Sequence, residues 1–287
     1  MYNYYLLFIS FLICTNIQAQ TDTFHIKVVN IEALRQQDAT PGIKFENIDS
    51  ISLKQFNTES LSDLLSAESG VIIKNYGPGS LASSTIRGGN ANQTAVIWNG
   101  FNINNPMLGQ TDLSVIPEFF ADKISMQYGG GSAQWGSGAV GGAVLLNSAT
   151  FFNKGVDAEV NIGAGSYGWL RQSFKTNYSN NRWIFNLKAF NDYSSNNFRF
   201  QNSITLEKQF QKHARTQGQG VLSEIVYRIN KNGTLSIAAW LDKFNRQIPP
   251  VLNQTSDAKQ KDDNLRITSQ WRQQLPKGEL AVRAAWF

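Results

Sequence analysis

The sequence has 287 residues and a formal net charge of +5; 16% of its residues are charged and 12% are aromatic. So many aromatic residues with so few charges exclude a disordered chain, because such a chain can bury apolar surface. The body of the chain contains no uncharged apolar run of about 18 residues, which excludes a helical membrane protein. The single cysteine, Cys14, excludes a disulfide framework, and the two histidines, His25 and His213, lie far apart. We therefore expect no metal site and no cofactor.

The two halves of the chain differ in charge. Residues 20–150 carry 7 basic and 11 acidic side chains, whereas residues 151–287 carry 19 basic and 10 acidic ones. This asymmetry predicts two domains of different character.

The N-terminus reads as a targeting segment. Residues 5–14 form an apolar core, and the small Ala19 suits cleavage before Gln20. We predict a signal peptide over residues 1–19 and export of the chain. The alternative is a lipoprotein signal acylated at Cys14, which the large Ile13 disfavours.

Short elements follow over residues 41–150. Ser60 is a candidate N-cap with Asp63 three residues later, and Gly70 is the expected end of that helix. Asn99-Gly100 is a strong hairpin signal because both residues tolerate positive φ. The pattern also predicts a brief helix at 117–121 and strands at 71–74, 84–87, 94–98, 123–128 and 143–147.

Seven glycines fall between positions 129 and 142. No lysine lies among them and no G-x-x-x-x-G-K-[ST] spacing occurs, so a nucleotide-binding loop is not expected. The glycines instead predict a close approach of backbone to backbone.

The C-terminal half alternates apolar and polar residues with a period of two. We predict seven strands, at about 156–165, 169–178, 182–193, 219–230, 233–243, 264–275 and 279–287. Tight turns at 179–181, 231–233 and 276–278 alternate with longer segments at about 194–218 and 244–263. Tight turns at one rim and longer loops at the other favour a transmembrane β-barrel over a soluble β-sandwich.

The motifs of the first half, taken together, resemble those of a known protein family. In order, they are Ser60-Leu61-Ser62-Asp63-Leu64-Leu65, Gly70-Val71, Ile86-Arg87-Gly88, Trp98-Asn99-Gly100, Ile116-Pro117, Tyr128-Gly129-Gly130, Ser132-Ala133, Gly136-Ser137-Gly138-Ala139 and Gly141-Gly142. This series resembles the plug domain of TonB-dependent outer-membrane receptors and is most similar to the vitamin B12 and siderophore branch. The sequence departs from the family pattern at Asn99, where an acidic residue is frequent, and at residues 129–131, where Arg-Gly-Pro is frequent.

The resemblance implies a mainly β fold, with a small α+β plug domain followed by an incomplete antiparallel transmembrane β-barrel. We expect the plug at residues 41–150 and the N-terminal part of the barrel at residues 151–287. Plugged transporters have about 22 strands. Seven strands therefore predict a fragment of a longer protein.

The resemblance also implies a function and partners. A receptor of this family imports a scarce metal chelate, here cobalamin or a ferric siderophore, across the outer membrane of a Gram-negative cell. Its plug lies inside the barrel and its N-terminus is periplasmic, where the energy-coupling protein TonB pulls on it. The alternative that we keep open is a non-transporting, surface-binding or adhesin barrel. No motif indicates an enzyme, and no catalytic residue is predicted.

Three sets of residues follow from the resemblance. The β-prone segment 23–31, within a leading segment at 20–40, is the candidate TonB contact, although an ordinary first plug strand would look similar. Its residues are Thr23, Phe24, His25, Ile26, Lys27, Val28 and Val29. The outward plug loops are the candidate ligand contact, although they would look similar if they were only hydrated loops. Their candidate residues are Asn90, Asn92, Gln93, Asn102, Asn104, Asn105 and Gln110. The structural plug motif is Arg87, Gly88, Gly136, Gly138, Gly141 and Gly142, with Arg87 expected in a buried ion pair.

The basic excess of the second half has two interpretations. Arg199, Lys208, Lys212, His213, Arg215, Arg246, Lys259 and Lys261 fall in the two longer segments. They would attract an anionic siderophore or, the interpretation we prefer, lie against anionic lipopolysaccharide of the outer membrane. Nucleic acid is not expected as a partner.

Overall fold

The structure is a computed structural model that describes residues 43–287, apart from positions 78, 251, 253 and 256. The predicted signal peptide and the segment 20–40 lie outside the described residues. The candidate TonB contact at residues 23–29 therefore stays a prediction.

Residues 43–147 form an N-terminal layer of short elements. Its strands are β1 (Lys44–Asn47), β2 (Ile72–Asn75), β3 (Ala82–Thr85), β4 (Thr94–Trp98), β5 (Phe101–Asn102), β6 (Lys123–Tyr128) and β7 (Gly142–Asn147). Its helices are α1 (Ser50–Gln55), α2 (Leu61–Glu68) and α3 (Ser132–Trp135), with a 3-10 turn at Glu118–Phe120. Five strands pair in the order β1-β6-β7-β4-β5, and β2 pairs with β3. The predicted strands of this half are confirmed to within two residues at each end.

Helix α2 begins where the sequence predicts. Ser60 is its N-cap, and Ser60 and Asp63 form a reciprocal capping box, which satisfies two N–H groups at the helix start. The end differs from the prediction: the helix stops at Glu68, and Ser69 is already extended. The N–H of Gly70 donates to the Tyr128 hydroxyl of β6 at 3.1 Å. Gly70 therefore lies beyond the helix and contacts β6 instead of forming the helix C-cap.

The Asn99-Gly100 hairpin is confirmed. It joins β4 to β5, and both turn residues have positive φ, 48° and 89°. These signs match the turn type that joins two-residue hairpins without splaying the strands.

Residues 155–286 form the large sheet. Its strands are β8 (Gly155–Ala164), β9 (Leu170–Ser179), β10 (Trp183–Ser194), β13 (Thr216–Asn230), β14 (Gly233–Gln247), β15 (Lys259–Leu275) and β16 (Gly278–Trp286). They pair antiparallel in chain order from β8 to β16. A small hairpin, β11 (Arg199–Gln201) and β12 (Lys208–Phe210), lies in the connection after β10. The seven predicted strands are confirmed, as is a mainly β fold with a small α+β unit and a partial, barrel-like sheet.

The loop predicted at residues 244–263 is shorter than expected. Strand β14 runs on to Gln247 and β15 begins at Lys259, with pairs as far as Gln247↔Lys259. The additional paired residues at these strand ends are almost all polar, so the sequence there lacks the alternation of apolar and polar residues that predicts a strand.

The outward face of the large sheet carries an apolar band. One edge is the cross-strand row Trp183↔Tyr227↔Leu235↔Trp271, beside the tight turns, and the other is Ala189↔Val221↔Leu241↔Leu265. These rows are six residues apart, about 20 Å along the strand, which compares with the apolar band of about 25 Å on outer-membrane barrels. Beyond it lies the polar row Asn191↔Gln219↔Lys243↔Asp263.

The inward face of the same strands packs on the N-terminal layer. Phe190, Leu222, Trp240 and Phe244 share one buried cluster with the leucines of α2 and the apolar residues of β4, β6 and β7. The layer and the large sheet are thus joined by a continuous core. Within the described part of the chain, no helix is both long and apolar enough to cross a membrane.

Candidate functional site

The two candidate ligand loops lie together at one end of the N-terminal layer. A side chain on Gly109 would meet Asn92, and one on Gly138 would meet the amides of Asn102 and Asn104. Residues 90–93, residues 102–110 and the turn at Ser137–Ala139 therefore form one surface, which we call the plug-loop surface.

Three of the seven candidate amides shape this surface from within. The amide of Asn104 donates to the carbonyls of Thr94 and Gly109, at 3.1 and 3.0 Å, and accepts from the Val96 N–H at 2.9 Å. Asn102 accepts from the Asn104 N–H, and Asn105 accepts from two N–H groups of its own loop. These side chains hold the loop, so their amides are engaged by the protein itself.

Exposed groups complete the surface. Asn90 and Asn92 are exposed, Gln110 is half-buried, and Gln93 accepts from the Asn90 N–H at 3.0 Å. Met107 is 93% exposed and Leu108 63% exposed. Sequence reasoning missed these two apolar residues; the signal was the Pro106-Met107-Leu108 triplet between amide residues.

The glycine motif brings backbone against backbone, as expected. The N–H of Gly141 donates to the Gln93 carbonyl at 2.9 Å, and its own carbonyl accepts from Gly129 at 3.0 Å. A side chain on Gly142, whose φ is 157°, would stand 2.3 Å from the Gln127 carbonyl oxygen. The motif thus lets the segment before β7 press against β4 and β6.

The buried ion pair expected at Arg87 is wrong for the described residues. Arg87 is exposed, with a φ of 53°, and none of the described carboxylates lies within ion-pair distance. Its guanidinium instead fills the space beside Gly129, where any side chain would meet it. In this sequence a glycine occupies that position, so the arginine packs there rather than pairing inside the core.

An ionic clamp at Asp122 joins the layer to the large sheet. Lys188 of β10 and Lys175 of β9 donate to its Oδ1 at 2.9 and 2.7 Å, and Lys188 also donates to the Phe120 carbonyl at 3.0 Å. Lys188 is 1% exposed. Burial alone would raise the pKa of Asp122, but the two ammonium groups lower it to about 2.

A second acid lies beside this clamp. Glu118 is 2% exposed, and its Oε2 has no hydrogen-bond partner in the described structure. Burial raises the pKa of Glu118 to about 8, against the attraction of Lys175 and Lys188. The carboxyl is therefore protonated at neutral pH, next to an ionised one.

Glu224 forms another contact from the large sheet. Its Oε1 accepts from Asn99 of the hairpin at 3.2 Å and from the Ser148 hydroxyl, and its Oε2 accepts from Asn186 at 3.3 Å. This carboxylate thus bonds the carboxyl ends of the parallel strands β4 and β7 to strand β13.

Two arginines fasten the opposite end of the layer. Arg171 of β9 donates to the carbonyls of Thr58 and Glu59, each at 2.7 Å, and pairs with Asp192 at 3.2 Å. Arg246 of β14 pairs with Asp112 at 2.7 Å. The layer is thus held to the large sheet along its length by buried charges, and between them Trp240 meets Trp98 and Phe120 edge to face.

The structure also places the basic residues of the two longer segments. Arg199 and Lys208 lie in the β11–β12 hairpin and Lys259 and Lys261 are exposed on β15. Arg246 is a correction: it lies in a strand, points inward and pairs with Asp112 and Asp262. No cluster of three or more metal-ligating side chains occurs among the residues that the structure describes.

A small α+β domain fastened by buried charges to the inward face of a large antiparallel sheet with an apolar outer band is the architecture of a plug against part of a β-barrel. The family comparison agrees, because residues 26–143 match the TonB-dependent receptor plug domain. Residues 26–143 are thereby recognised as a plug domain of the TonB-dependent receptor type, and we call the N-terminal layer the plug from here on.

Curated relatives match a little under half of the chain. The vitamin B12 transporter BtuB of Photobacterium profundum is 34% identical over 127 residues, which is 44% of this chain and 20% of the relative. BtuB of Vibrio vulnificus is 26% identical over 140 residues, which is 48% of this chain and 23% of the relative. The matched region thus spans about a fifth of the length of these relatives.

Solved structures match more of the chain. The FrpB iron transporter of Neisseria meningitidis (F3-3 variant) has a TM-score of 0.68 at 15% identity, over 85% of this chain and 40% of that one. The ferric yersiniabactin uptake receptor FyuA of Yersinia pestis has a TM-score of 0.67 at 10% identity, over 86% and 40%. At these identities the likeness concerns the fold, and it includes the large sheet as well as the plug.

Proposed function

We propose that this chain belongs to a receptor that imports a scarce metal chelate, cobalamin or a ferric siderophore, across the outer membrane. The observation that supports this most is the plug-domain match over residues 26–143, and the 34% identity over 127 residues to a vitamin B12 transporter agrees with it. The receptor's work is binding and passage rather than catalysis. We place the plug at residues 41–150 and the start of the barrel at residues 151–287.

We propose the plug-loop surface as the ligand contact of the plug. Asn90 and Asn92 offer exposed amides, and Met107 and Leu108 add an apolar patch beside them. Amides that donate and accept, next to apolar groups, suit a large chelate with a polar rim and hydrocarbon parts.

TonB is the proposed partner of the N-terminal segment that precedes the plug. The segment 23–29 would add an extended strand to a sheet edge of TonB, with the N-terminus in the periplasm. Residues 26–29 also fall inside the matched plug region, which agrees equally with a first plug strand. Deletion of the segment separates these two interpretations.

The apolar band supports the proposed placement in the membrane. The tight turns at residues 180–182, 231–232 and 276–277 would face the periplasm, and the β11–β12 hairpin would face outward. The plug would lie within the barrel. The exposed Lys259 and Lys261 stand on the β15 extension beyond the band, where lipopolysaccharide phosphates would meet them.

The test uses the gene with its complete reading frame in cells that lack their own uptake of the probes. Purified receptor is titrated by calorimetry with cyanocobalamin and with a panel of ferric siderophores, and uptake of each labelled probe is measured. We expect one class to bind and to enter the cell. Binding of neither class would contradict the ligand assignment.

A second variant tests the energy coupling. Deletion of residues 21–31 is expected to keep binding and abolish uptake. Unchanged uptake would contradict the TonB contact and favour a surface-binding barrel. A loss of binding as well would indicate that the deleted segment is a structural strand of the plug.

A further inference from the structure

The plug-loop surface carries no ionisable side chain. Residues 90–93, residues 102–110 and residues 137–139 contain only amide, hydroxyl, proline, glycine and apolar residues. A ligand that meets this surface is therefore recognised there by hydrogen bonds and apolar contact, without an ion pair to these loops.

The nearest ionisable residues in the sequence add a single unpaired cation. Asp112 follows residues 102–110, and Arg246 of the large sheet pairs with it at 2.7 Å. Arg87 precedes residues 90–93 and is exposed, and none of the described carboxylates lies within ion-pair distance of it. The edge of the surface thus offers one positive charge to a ligand.

Three arginines on the inward face of the large sheet are held by carboxylates. The pairs, at 2.7–3.2 Å, are Arg171–Asp192, Arg246–Asp112, Arg246–Asp262 and Arg266–Asp242. These guanidinium groups are committed within the protein and do not offer a free cation to a ligand. The exposed Arg199 and Lys208 lie in the β11–β12 hairpin, outside the plug.

The apolar part of the surface disfavours a highly charged ligand. Met107 is 93% exposed and Leu108 is 63% exposed. An anionic group pressed against these side chains would lose hydration without gaining a partner, which is unfavourable. A neutral chelate would instead place hydrocarbon on Met107 and Leu108 and its carbonyl or amide groups on Asn90 and Asn92.

The loop that presents this surface is held in place by Asn104. Its amide donates to the carbonyls of Thr94 and Gly109, at 3.1 and 3.0 Å, and accepts from the Val96 N–H and the Thr111 hydroxyl, each at 2.9 Å. The protein itself therefore fixes the uncharged surface, and a ligand meets it preformed.

We propose that the plug-loop surface selects chelates that carry at most one negative charge and rejects multiply anionic ones. The inference rests on the proposed function, chelate import with contact at this surface, and names the charge class of the chelate. It divides siderophores among themselves, because ferric trihydroxamates can be neutral whereas ferric tricatecholates are triply anionic.

The experiment titrates the complete receptor by calorimetry with three probes. They are cyanocobalamin, the neutral trihydroxamate ferrichrome and the triply anionic tricatecholate ferric enterobactin. We expect one of the neutral chelates to bind, and ferric enterobactin to bind at least about tenfold more weakly. Equal or tighter binding of ferric enterobactin would overturn this proposal and leave the proposed function standing. Binding of none of the three would overturn both.

Paired variants locate the selection. Asn92→Lys places a cation among the exposed amides and is expected to tighten ferric enterobactin binding about tenfold relative to the neutral chelate. The matched control Asn232→Lys adds the same charge at an exposed tight turn and should leave the ratio of the two affinities unchanged. Folding of both is checked by heat-modifiable gel mobility. The parent's ratio in correctly folded Asn92→Lys would overturn the proposal.

Discussion

Asn99 of the plug donates its side-chain amide to the carboxylate of Glu224 in the large sheet, at 3.2 Å. The other donors that the structure describes at this carboxylate, Ser148 and Asn186, are also neutral. An acidic residue at position 99 would face Glu224 directly. The identities of these two residues are therefore coupled.

Asn99→Asp is expected to destabilise the plug because two carboxylates would then face each other, and the described residues include no ion-pair partner of Glu224. Breaking a buried, hydrogen-bonded charge typically costs about 3–5 kcal/mol. We expect the free energy of plug unfolding to fall by an amount of this order, measured by pulse proteolysis of the complete receptor in urea.

The second variant makes the test specific. Adding Glu224→Gln to Asn99→Asp should recover most of the loss, because a neutral amide can again pair with the acid. Asn105→Asp is the matched control: its Oδ1 accepts from the Met107 and Leu108 N–H groups, which an aspartate does equally well. Equal losses in Asn99→Asp and Asn105→Asp would contradict the coupling.

The Asp122 clamp predicts acid sensitivity. The lysines lower the pKa of this carboxyl from 3.8 to about 2, so it contributes stability above pH 3.8 that is lost as the pH falls toward 2. The contribution is on the order of 2 kcal/mol. The free energy of plug unfolding, measured between pH 6 and pH 2, should show this loss. In Asp122→Asn the plug should be less stable at neutral pH, and its stability should not fall further over this pH range.

Lysine variants provide the control for the clamp. Lys188→Met removes the buried partner of Asp122 and of the Phe120 carbonyl, and should destabilise the plug strongly. Lys243→Met removes an exposed lysine whose ion pair with Asp263 spans 3.9 Å, and should change little. Similar effects of the two substitutions would argue against the clamp.

Much of the fold was readable because it depends on local pattern. The outward positions of β10, such as Phe185 and Leu187, are apolar and alternate with inward positions, so a period of two predicts the strand. The Asn99-Gly100 turn is equally local. The polar ends of β14 and β15 carry no such constraint, and their ladder follows only from pairing between strands.

The contacts of the site were harder to predict because they join residues far apart in the chain. Asp122 finds Lys175 and Lys188 more than fifty residues later. The sequence also offered seven amides for the plug loops without showing that Asn104 is engaged by four hydrogen bonds within the protein. Which side chains remain free depends on the folded loops.

Glu118 predicts the opposite pH dependence to Asp122. Burial raises its pKa from 4.5 to about 8, so the folded plug holds a proton that the unfolded chain has released. Stability therefore falls as the pH rises from 4.5 toward 8 and is level above that. Glu118→Gln, which is neutral at every pH, should flatten this slope and stabilise the plug at pH 8.5, whereas the exposed Glu279→Gln should leave it unchanged. If the dependence of plug stability on pH persisted in Glu118→Gln, another titrating group would be its cause.

The apolar band predicts a depth dependence on the outward face. Ile237 lies near the middle of the band, in the row Phe185↔Ile225↔Ile237↔Ser269, whereas Gln219 lies in the polar row beyond it. An arginine at the bilayer midplane of a barrel costs about 2–4 kcal/mol, and near the interface about 0–1 kcal/mol. We expect Ile237→Arg to reduce the yield of folded receptor in the outer membrane and the free energy of unfolding in lipid vesicles, and Gln219→Arg to do neither. Equal tolerance of the two arginines would show that this face does not meet lipid.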